Sequence, residues 1–435
     1  MEMVRNSYKE TEIGKLPEEW EIVSLKNHLI IKGRIGWKGL MISEYINKGP
    51  YIIGGLQIIN DSIDWENCAH ITEERYAESP EIMLKEDDIL MTKDGTIGKL
   101  AYLKDLPDRA TVASHIHVIR RKTNKILPKF LFYFFKTPIF RALVESKISG
   151  SVVPALTQRD IETLNTPLPP IPEQTRIAEI LSSIDDKIEV NHQMNKTLEK
   201  IGQALFKHWF VDFEFPNEEG KPYKSSGGKM IDSELGEIPE GWKVAKLADY
   251  GVFKNGINYL RDEIGDTEFF IVNVRDIANN RLLLKNSLDR INIDLKKAKD
   301  YLLNDKDILI ARSASPGEVS LVLGNLDKVI YSGFSIRYRL NNPNSYLYMF
   351  LIMQGLKENL SNFAVGTTLQ SVNQETLRNM RFLLPPDKTL NEFNKIIEQI
   401  LEKTYNNLIQ NSSLSQIRDS LLPRLMSGKI RVRTQ

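Results

Sequence analysis

Glu12-Ile-Gly-Lys-Leu-Pro-Glu-Glu-Trp20 returns as Glu234-Leu-Gly-Glu-Ile-Pro-Glu-Gly-Trp242, with Glu, Gly, Pro, Glu and Trp in the same places and two exchanges of Leu with Ile. Four more landmarks recur in order. Pro50-Tyr-Ile-Ile-Gly-Gly-Leu-Gln-Ile-Ile-Asn60 answers to Glu268-Phe-Phe-Ile-Val-Asn-Val-Arg-Asp-Ile-Ala278, and Lys85-Glu-Asp-Asp-Ile-Leu-Met91 to Asn304-Asp-Lys-Asp-Ile-Leu-Ile310. Ala155-Leu-Thr-Gln158 then matches Ser371-Val-Asn-Gln374, and Leu168-Pro-Pro170 matches Leu384-Pro-Pro386. Five ordered matches about 220 residues apart describe two copies of one module, at a period far too long for a solenoid.

Within each copy the character of the chain changes once, at the Pro-Pro. Before it, short β-branched runs broken by Gly, Asn and Asp predict strands over 51–56, 89–91 and 113–119, and over 269–274, 308–311 and 333–340. Short helices are expected near 128–136 and 346–356. After the Pro-Pro the period becomes helical. A helix over 173–210 carries Ile177, Leu181, Ile184, Ile188, Leu198, Leu205 and Trp209 at spacings of three and four, with Asn191 and Asn195 in the same seam. In the second copy Phe393, Ile397, Ile400, Leu408, Leu414, Leu421 and Leu425 do likewise, with Asn407 and Asn411.

Sustained a/d spacing predicts a coiled coil; the plainer alternative is two amphipathic helices, each lying on its own domain. A helix of that length runs about 57 Å, longer than a domain of this size can cover. Asn in a seam costs stability, and its best-attested use is to fix register. The expected fold is therefore α+β: two β-rich heads separated by two long helices paired as an antiparallel coiled coil, with an internal pseudo-two-fold repeat. The boundaries expected are 12–168 for the first head, 169–212 for the first helical region, 213–233 for a linker, 234–384 for the second head and 385–428 for the second helical region.

The 435 residues are 41% hydrophobic and 26% charged, an ordinary globular composition. Lys+Arg is 58 against Asp+Glu 57, so the net charge of +1 excludes a polybasic protein held on phosphate by bulk charge. One cysteine, Cys68, excludes an intramolecular disulfide framework and a multi-thiolate zinc site. No apolar signal segment opens the chain, and the longest apolar run, around 130–135, falls far short of the roughly 20 residues that span a bilayer. A cytoplasmic protein without a membrane partner is the expectation.

Two similar but non-identical heads on a rod suit a long ligand with two separated features, and duplex DNA is the natural one. Lys32-Gly-Arg-Ile-Gly-Trp-Lys38 places Lys32, Arg34 and Lys38 beside Trp37 without an acid; its counterpart runs from Lys254-Asn-Gly-Ile-Asn-Tyr259 to Arg261. Lys93-Asp-Gly-Thr-Ile-Gly-Lys99 corresponds to Arg312-Ser-Ala-Ser-Pro-Gly-Glu318. Lys32, Arg34, Lys38, Lys93, Lys99, Lys254, Arg261 and Arg312 are candidates for phosphate or guanine contacts. Thr96, His115, His117, Gln158, Asn255, Asn258, Arg275, Ser313, Ser315 and Gln374 are the polar candidates near bases. For any one of these residues alone, a solvated surface role is the plainer reading.

Catalytic motifs are missing. There is no G-x-x-x-x-G-K-[ST] phosphate loop and no Asp/Asn-Pro-Pro-aromatic tetrapeptide, since Pro169-Pro170 and Pro385-Pro386 follow Leu. His115-x-His117 puts two imidazoles on one predicted strand face, but the second copy aligns Gly333 and Ser335 there, so no metal is expected. Glu86-Asp-Asp88 reads as a turn before a strand.

These residues resemble the specificity (S) subunits of type I restriction-modification systems. The resemblance rests on Leu16-Pro-Glu-Glu-Trp20 and Ile238-Pro-Glu-Gly-Trp242, the loops after Asp88-Ile-Leu90 and Asp307-Ile-Leu309, Leu168-Pro-Pro-Ile-Pro-Glu-Gln174 and Leu421-Leu-Pro-Arg-Leu-Met-Ser-Gly428. It implies that each head is a target recognition domain for one half of a gapped DNA site. The helix pair would set the gap and dock two modification (methyltransferase) subunits. S-adenosylmethionine, ATP and Mg would sit on partner subunits, among them the restriction/translocase subunits, and this chain would be non-catalytic. Two rivals stay open: a self-sufficient adenine methyltransferase, and a coiled-coil scaffold that binds no DNA.

Overall fold

The computed structural model describes residues 7–12, 14–34, 40–148, 155–260, 264–324, 326–355 and 372–433. The chain divides into two units, Met1–Ile188 with Ser413–Gln435, and Glu189–Ser412.

In the first unit, strands β1 (Leu29–Gly33), β2 (Ile46–Ile53), β3 (Ala69–His70), β4 (Ile89–Thr92), β5 (Leu100–Tyr102), β6 (Ala110–Val112) and β7 (Ile116–Arg121) form two sheets. One is four-stranded and antiparallel, in the order β5-β4-β7-β1; the other runs β6-β2-β3, with β6 parallel to β2. The run Ile89-Leu-Met-Thr92 is buried throughout because both faces of β4 are covered. Ile89 and Met91 join the core that holds helix α1 (Pro128–Phe135), whereas Leu90 joins Ile53, Val112 and Val118 on the other face. A strand buried on both sides reads as a continuous apolar run rather than an alternating one.

Helix α2 (Ile171–Phe206) continues as a π-helical turn over Lys207–Val211. The second unit then repeats the plan with β8 (Gly251–Asn255), β9 (Thr267–Val272), β10 (Asp289–Ile293), β11 (Ile308–Ala311), β12 (Val319–Leu321), β13 (Val329–Tyr331) and β14 (Ser335–Leu340). Its sheets run β8-β14-β11-β12 and β10-β9-β13, with β9 parallel to β13. Helices α3 (Tyr346–Gln354) and α4 (Asp387–Met426) follow. β4 starts at Ile89 and β11 at Ile308, β7 at Ile116 and β14 at Ser335: the same displacement of 219 residues. The parallel pairs Ala110–Tyr51 and Val329–Phe270 keep it, so Phe270 is the equivalent of Tyr51, one residue on from the match drawn in the sequence.

A buried ion pair is duplicated with the strands. Arg120 on β7 grips Asp88 with Nε and Nη2 at 2.7 and 2.6 Å and donates to the Met83 carbonyl; Arg339 on β14 grips Asp307 at 2.7 and 2.6 Å and donates to the Leu302 carbonyl. Both carboxylates are 1% exposed at the side chain, and each accepts a backbone N–H three residues earlier, from Lys85 or Asn304. Asp88 is thus the turn-former expected, and also a buried anchor. The hydrogen bonds on the remaining lone pairs are what allow a charge to be buried.

The helices pair antiparallel within each unit. In the first, Ile177 and Leu181 of α2 pack with Leu422, Leu425 and Met426 of α4, and Arg418 binds Asp185 at 2.9 Å. In the second, Asn191 Nδ2 donates to Asn411 Oδ1 at 2.7 Å and Asn407 Nδ2 to Asn195 Oδ1 at 2.8 Å, flanked by Ile397 and the half-buried Leu205, Ile400 and Leu408. Ile184, Ile188, Leu198, Leu414 and Leu421 are half-buried along the same stripe.

Four predicted strands need correction. The strand predicted over 113–119 begins only at Ile116, the start of β7; residues 113–115 connect it to β6, so His115 lies outside the strand and does not share a strand face with His117. The strand predicted over 333–340 begins only at Ser335. The strands predicted over 51–56 and 269–274 end at Ile53 and Val272, where Gly54-Gly55 and the Asn273 cap turn the chain. The linker 213–233 is folded: Phe215 stacks on Tyr223 at 4.6 Å, Phe213 meets Trp242 edge-on at 5.5 Å, and Met230–Ser233 pairs with Gly236–Pro239.

Candidate nucleic-acid interface

Four segments converge at one end of the four-stranded sheet in each head. In the first, the Lys93 N–H donates to the His115 carbonyl at 2.9 Å, the Leu156 N–H donates to the Lys93 carbonyl at 2.7 Å, and Gly33 at the end of β1 stands opposite His117. In the second, the Arg312 N–H donates to the Phe334 carbonyl at 2.8 Å, the Val372 N–H donates to the Arg312 carbonyl at 2.9 Å, and Asn255 at the end of β8 stands opposite Ile336. The loops after β4 and β11 share their backbone as well. Gly98 and Gly317 have φ of +84° and +85°, a conformation that favours glycine. The scaffold is therefore the same, and the side chains it presents are not.

In the first head, the residues 93–99 carry Lys93, Asp94 and the exposed Thr96. His115 is exposed at 69% of its side chain, and its Nδ1 lies 2.6 Å from Asp94. In the second head Arg312, Ser313 and Ser315 are half-buried, Asn258 is exposed, and Phe334 occupies the place of His115 with 66% exposure. Gln374 lies 2.9 Å from the Asn255 side chain; turned to its better-satisfied orientation, its amide donates to the Phe253 carbonyl and accepts from the Asn255 N–H. Gln158, its counterpart, donates to Glu162 at 2.7 Å.

Several candidates serve the scaffold instead. His117 is 5% exposed; its Nε2 bonds to the Leu156 carbonyl at 2.8 Å, and burial lowers its pKa below the ordinary imidazole value. Its counterpart is Ile336, and that of His115 is Phe334, one residue on from the Ser335 and Gly333 aligned by sequence. Arg34 is 2% exposed, with Nε on the Val112 carbonyl at 3.0 Å and Nη2 on Thr111 Oγ1 at 3.3 Å; burial lowers its pKa. In the second head a backbone bond does the same work, Ile257 N–H to the Tyr331 carbonyl at 2.9 Å. Lys99 Nζ ties its loop to the carbonyls of Gly55 and Ile58 at 3.2 and 3.5 Å. Arg275 is exposed but paired with Asp289 at 2.5 Å, and Lys254 Nζ donates to the Asp300 carbonyl at 2.9 Å over the Tyr301 ring. Lys32 is exposed. Trp37, Lys38 and Arg261 lie outside the described residues. Asp94 and Phe334 were missed; the constant displacement of 219 residues, applied to His115, would have singled out Phe334.

Such a duplicated α+β chain, with one scaffold carrying two unlike sets of loop side chains, defines a class of paired recognition modules. The chain belongs to the family of type I restriction modification DNA specificity domains, whose model matches residues 17–200 and 239–418. The MjaIX specificity subunit of a type I restriction enzyme from Methanocaldococcus jannaschii is 29% identical over 436 residues, which cover 98% of this chain and 96% of that one. The HindI specificity subunit from Haemophilus influenzae is 27% identical over 410 residues, covering 80% and 87%. In fold, the chain is similar to the S subunit of a type I restriction-modification system from M. genitalium, with a TM-score of 0.55 at 15% identity over 93% of this chain and 96% of that one.

Proposed function

We propose that this chain is the non-catalytic DNA specificity subunit of a type I restriction-modification complex, each head reading one half of a bipartite, gapped target. The observation that carries this is the repeated loop scaffold at the β4 and β11 ends, led by Lys93 in one head and Arg312 in the other, with different side chains behind each cation. Backbone geometry held constant while donors, acceptors and apolar groups change is what two different base sequences demand.

The helix pair then sets the gap and docks two modification subunits, which supply S-adenosylmethionine and flip out an adenine for methylation. ATP and Mg act on the restriction/translocase subunits. The test is to express the chain with its modification subunits in a host lacking other adenine methylation and to sequence the methylated adenines. A single bipartite motif with a fixed gap is expected; methylation at a continuous motif refutes the two-head reading. Purified alone, the chain should transfer no methyl group to DNA, and activity there would revive the self-sufficient methyltransferase.

A further inference from the structure

We infer that Phe334 is the apolar base contact of the second head, packing against the C5-methyl of a thymine in the half-site this head reads; the inference rests on the DNA-reading role proposed above. Phe334 stands in the turn between β13 and β14, at the junction of the converging segments. Its backbone is held on every side. Its own carbonyl accepts from the Arg312 N–H at 2.8 Å, the Gly333 N–H donates to the Ile257 carbonyl at 2.8 Å, the Ser335 N–H donates to the Ser332 carbonyl at 2.9 Å, and the Ser335 carbonyl accepts from the Gly256 N–H at 3.0 Å. The ring is nevertheless 66% exposed, while Ser335 and Ile336 directly after it are fully buried.

A lone exposed apolar side chain on a protein surface needs no explanation by itself. This one has polar neighbours suited to base edges: the Arg312 loop is bonded to its carbonyl, and Asn258 lies so close to Gly333 that a Cβ there would meet its Oδ1 at 2.1 Å. Arg and Asn supply donors for guanine and adenine edges; among the four base edges of the major groove the one apolar feature is the thymine methyl. A phenyl ring carried on a fixed backbone beside an arginine loop and an asparagine completes a set that can read all three. The first head presents His115 at the same backbone position, a hydrogen-bonding group where the second head is apolar. The two heads therefore discriminate by different chemistry at one equivalent site.

The experiment uses the full chain in complex with its modification subunits and duplexes carrying the bipartite site found by methylation sequencing. Each thymine of the second half-site, on either strand, is replaced singly by uracil, which keeps the hydrogen-bonding edge and removes only the methyl. Wild-type complex should lose about fourfold in affinity at one of these positions, the worth of one buried methyl-sized group. Phe334→Ala should be indifferent to uracil at that position while still rejecting base-pair changes at the other positions of the second half-site, which also shows that the head carrying the substitution is folded. Phe334→Leu should keep part of the discrimination. Wild-type indifference to every uracil, a second half-site without thymine, or Phe334→Ala retaining the full loss each overturns the inference and leaves the bipartite reading standing. The absence of any bipartite motif overturns that reading instead.

Discussion

Arg312 leads the loop of the second head with its backbone bonded on both sides, to Phe334 and Val372, so its side chain emerges from a fixed point. If it reads a guanine through two hydrogen bonds, Arg312→Ala costs about 1–3 kcal/mol and relaxes only the second half-site. Uniform weakening on all sequences, measured by binding to a panel of half-site variants, marks it as a phosphate contact. His117 carries a different expectation. Burial lowers its pKa, partly opposed by the bond to Leu156, so the folded chain resists a proton that the unfolded chain accepts. Its contribution to stability is level above the ordinary imidazole value of 6.5 and falls as the pH drops below it. Urea midpoints from about pH 8 down to about pH 5 should show this loss, and His117→Gln should reduce it. Residue types were legible in the sequence, and their roles were not. Arg34, Lys99 and His117 have the composition of DNA contacts and instead satisfy the carbonyls of their own scaffold.

At the scale of elements, the paired strands with their ion pairs set the strength of each head. Arg120→Ala leaves the Asp88 carboxylate buried without its partner and should cost about 3 kcal/mol; Arg339→Ala should do the same to the second unit. Equal midpoints for wild type and both variants in denaturant would show the pair to be dispensable. The helix seam makes the opposite prediction. Asn191→Leu breaks the rung to Asn411 and should destabilise by about 1–3 kcal/mol, whereas Asn191→Leu with Asn411→Leu should recover that loss, because two apolar side chains pack where two amides bonded. A double variant no more stable than the single one contradicts this. The Asn positions were legible from heptad spacing. The Asp–Arg pairs were not, because partners 32 residues apart, one at a turn and the other on a strand, have no local signature.

At the scale of the whole molecule, near-neutral charge bears on how DNA is held. With 58 cations against 57 acids, the isolated chain should show a shallower dependence of affinity on salt than its complex with modification subunits, as measured by titration at several salt concentrations. An equally steep slope would mean that this chain supplies most of the phosphate contacts. For the gap, removing four residues from α2 and the matching four from α4 takes out about one turn, roughly 5.4 Å, and should shift the preferred gap by about one to two base pairs. An unchanged gap ends the ruler proposal. The sequence alone determined that the chain is a duplicated module whose copies each pass from β-rich to helical at a Pro-Pro, because repetition and hydrophobic period are properties of order along the chain. Only the tertiary structure decided which polar side chains face outward from each head. That depends on where the ends of β1, β4 and β7, and of β8, β11 and β14, come together, and on which carbonyls there lack a backbone partner. Arg34 is consumed by such a carbonyl in one head, while in the other a backbone N–H fills the same need and Phe334 stands exposed beside it.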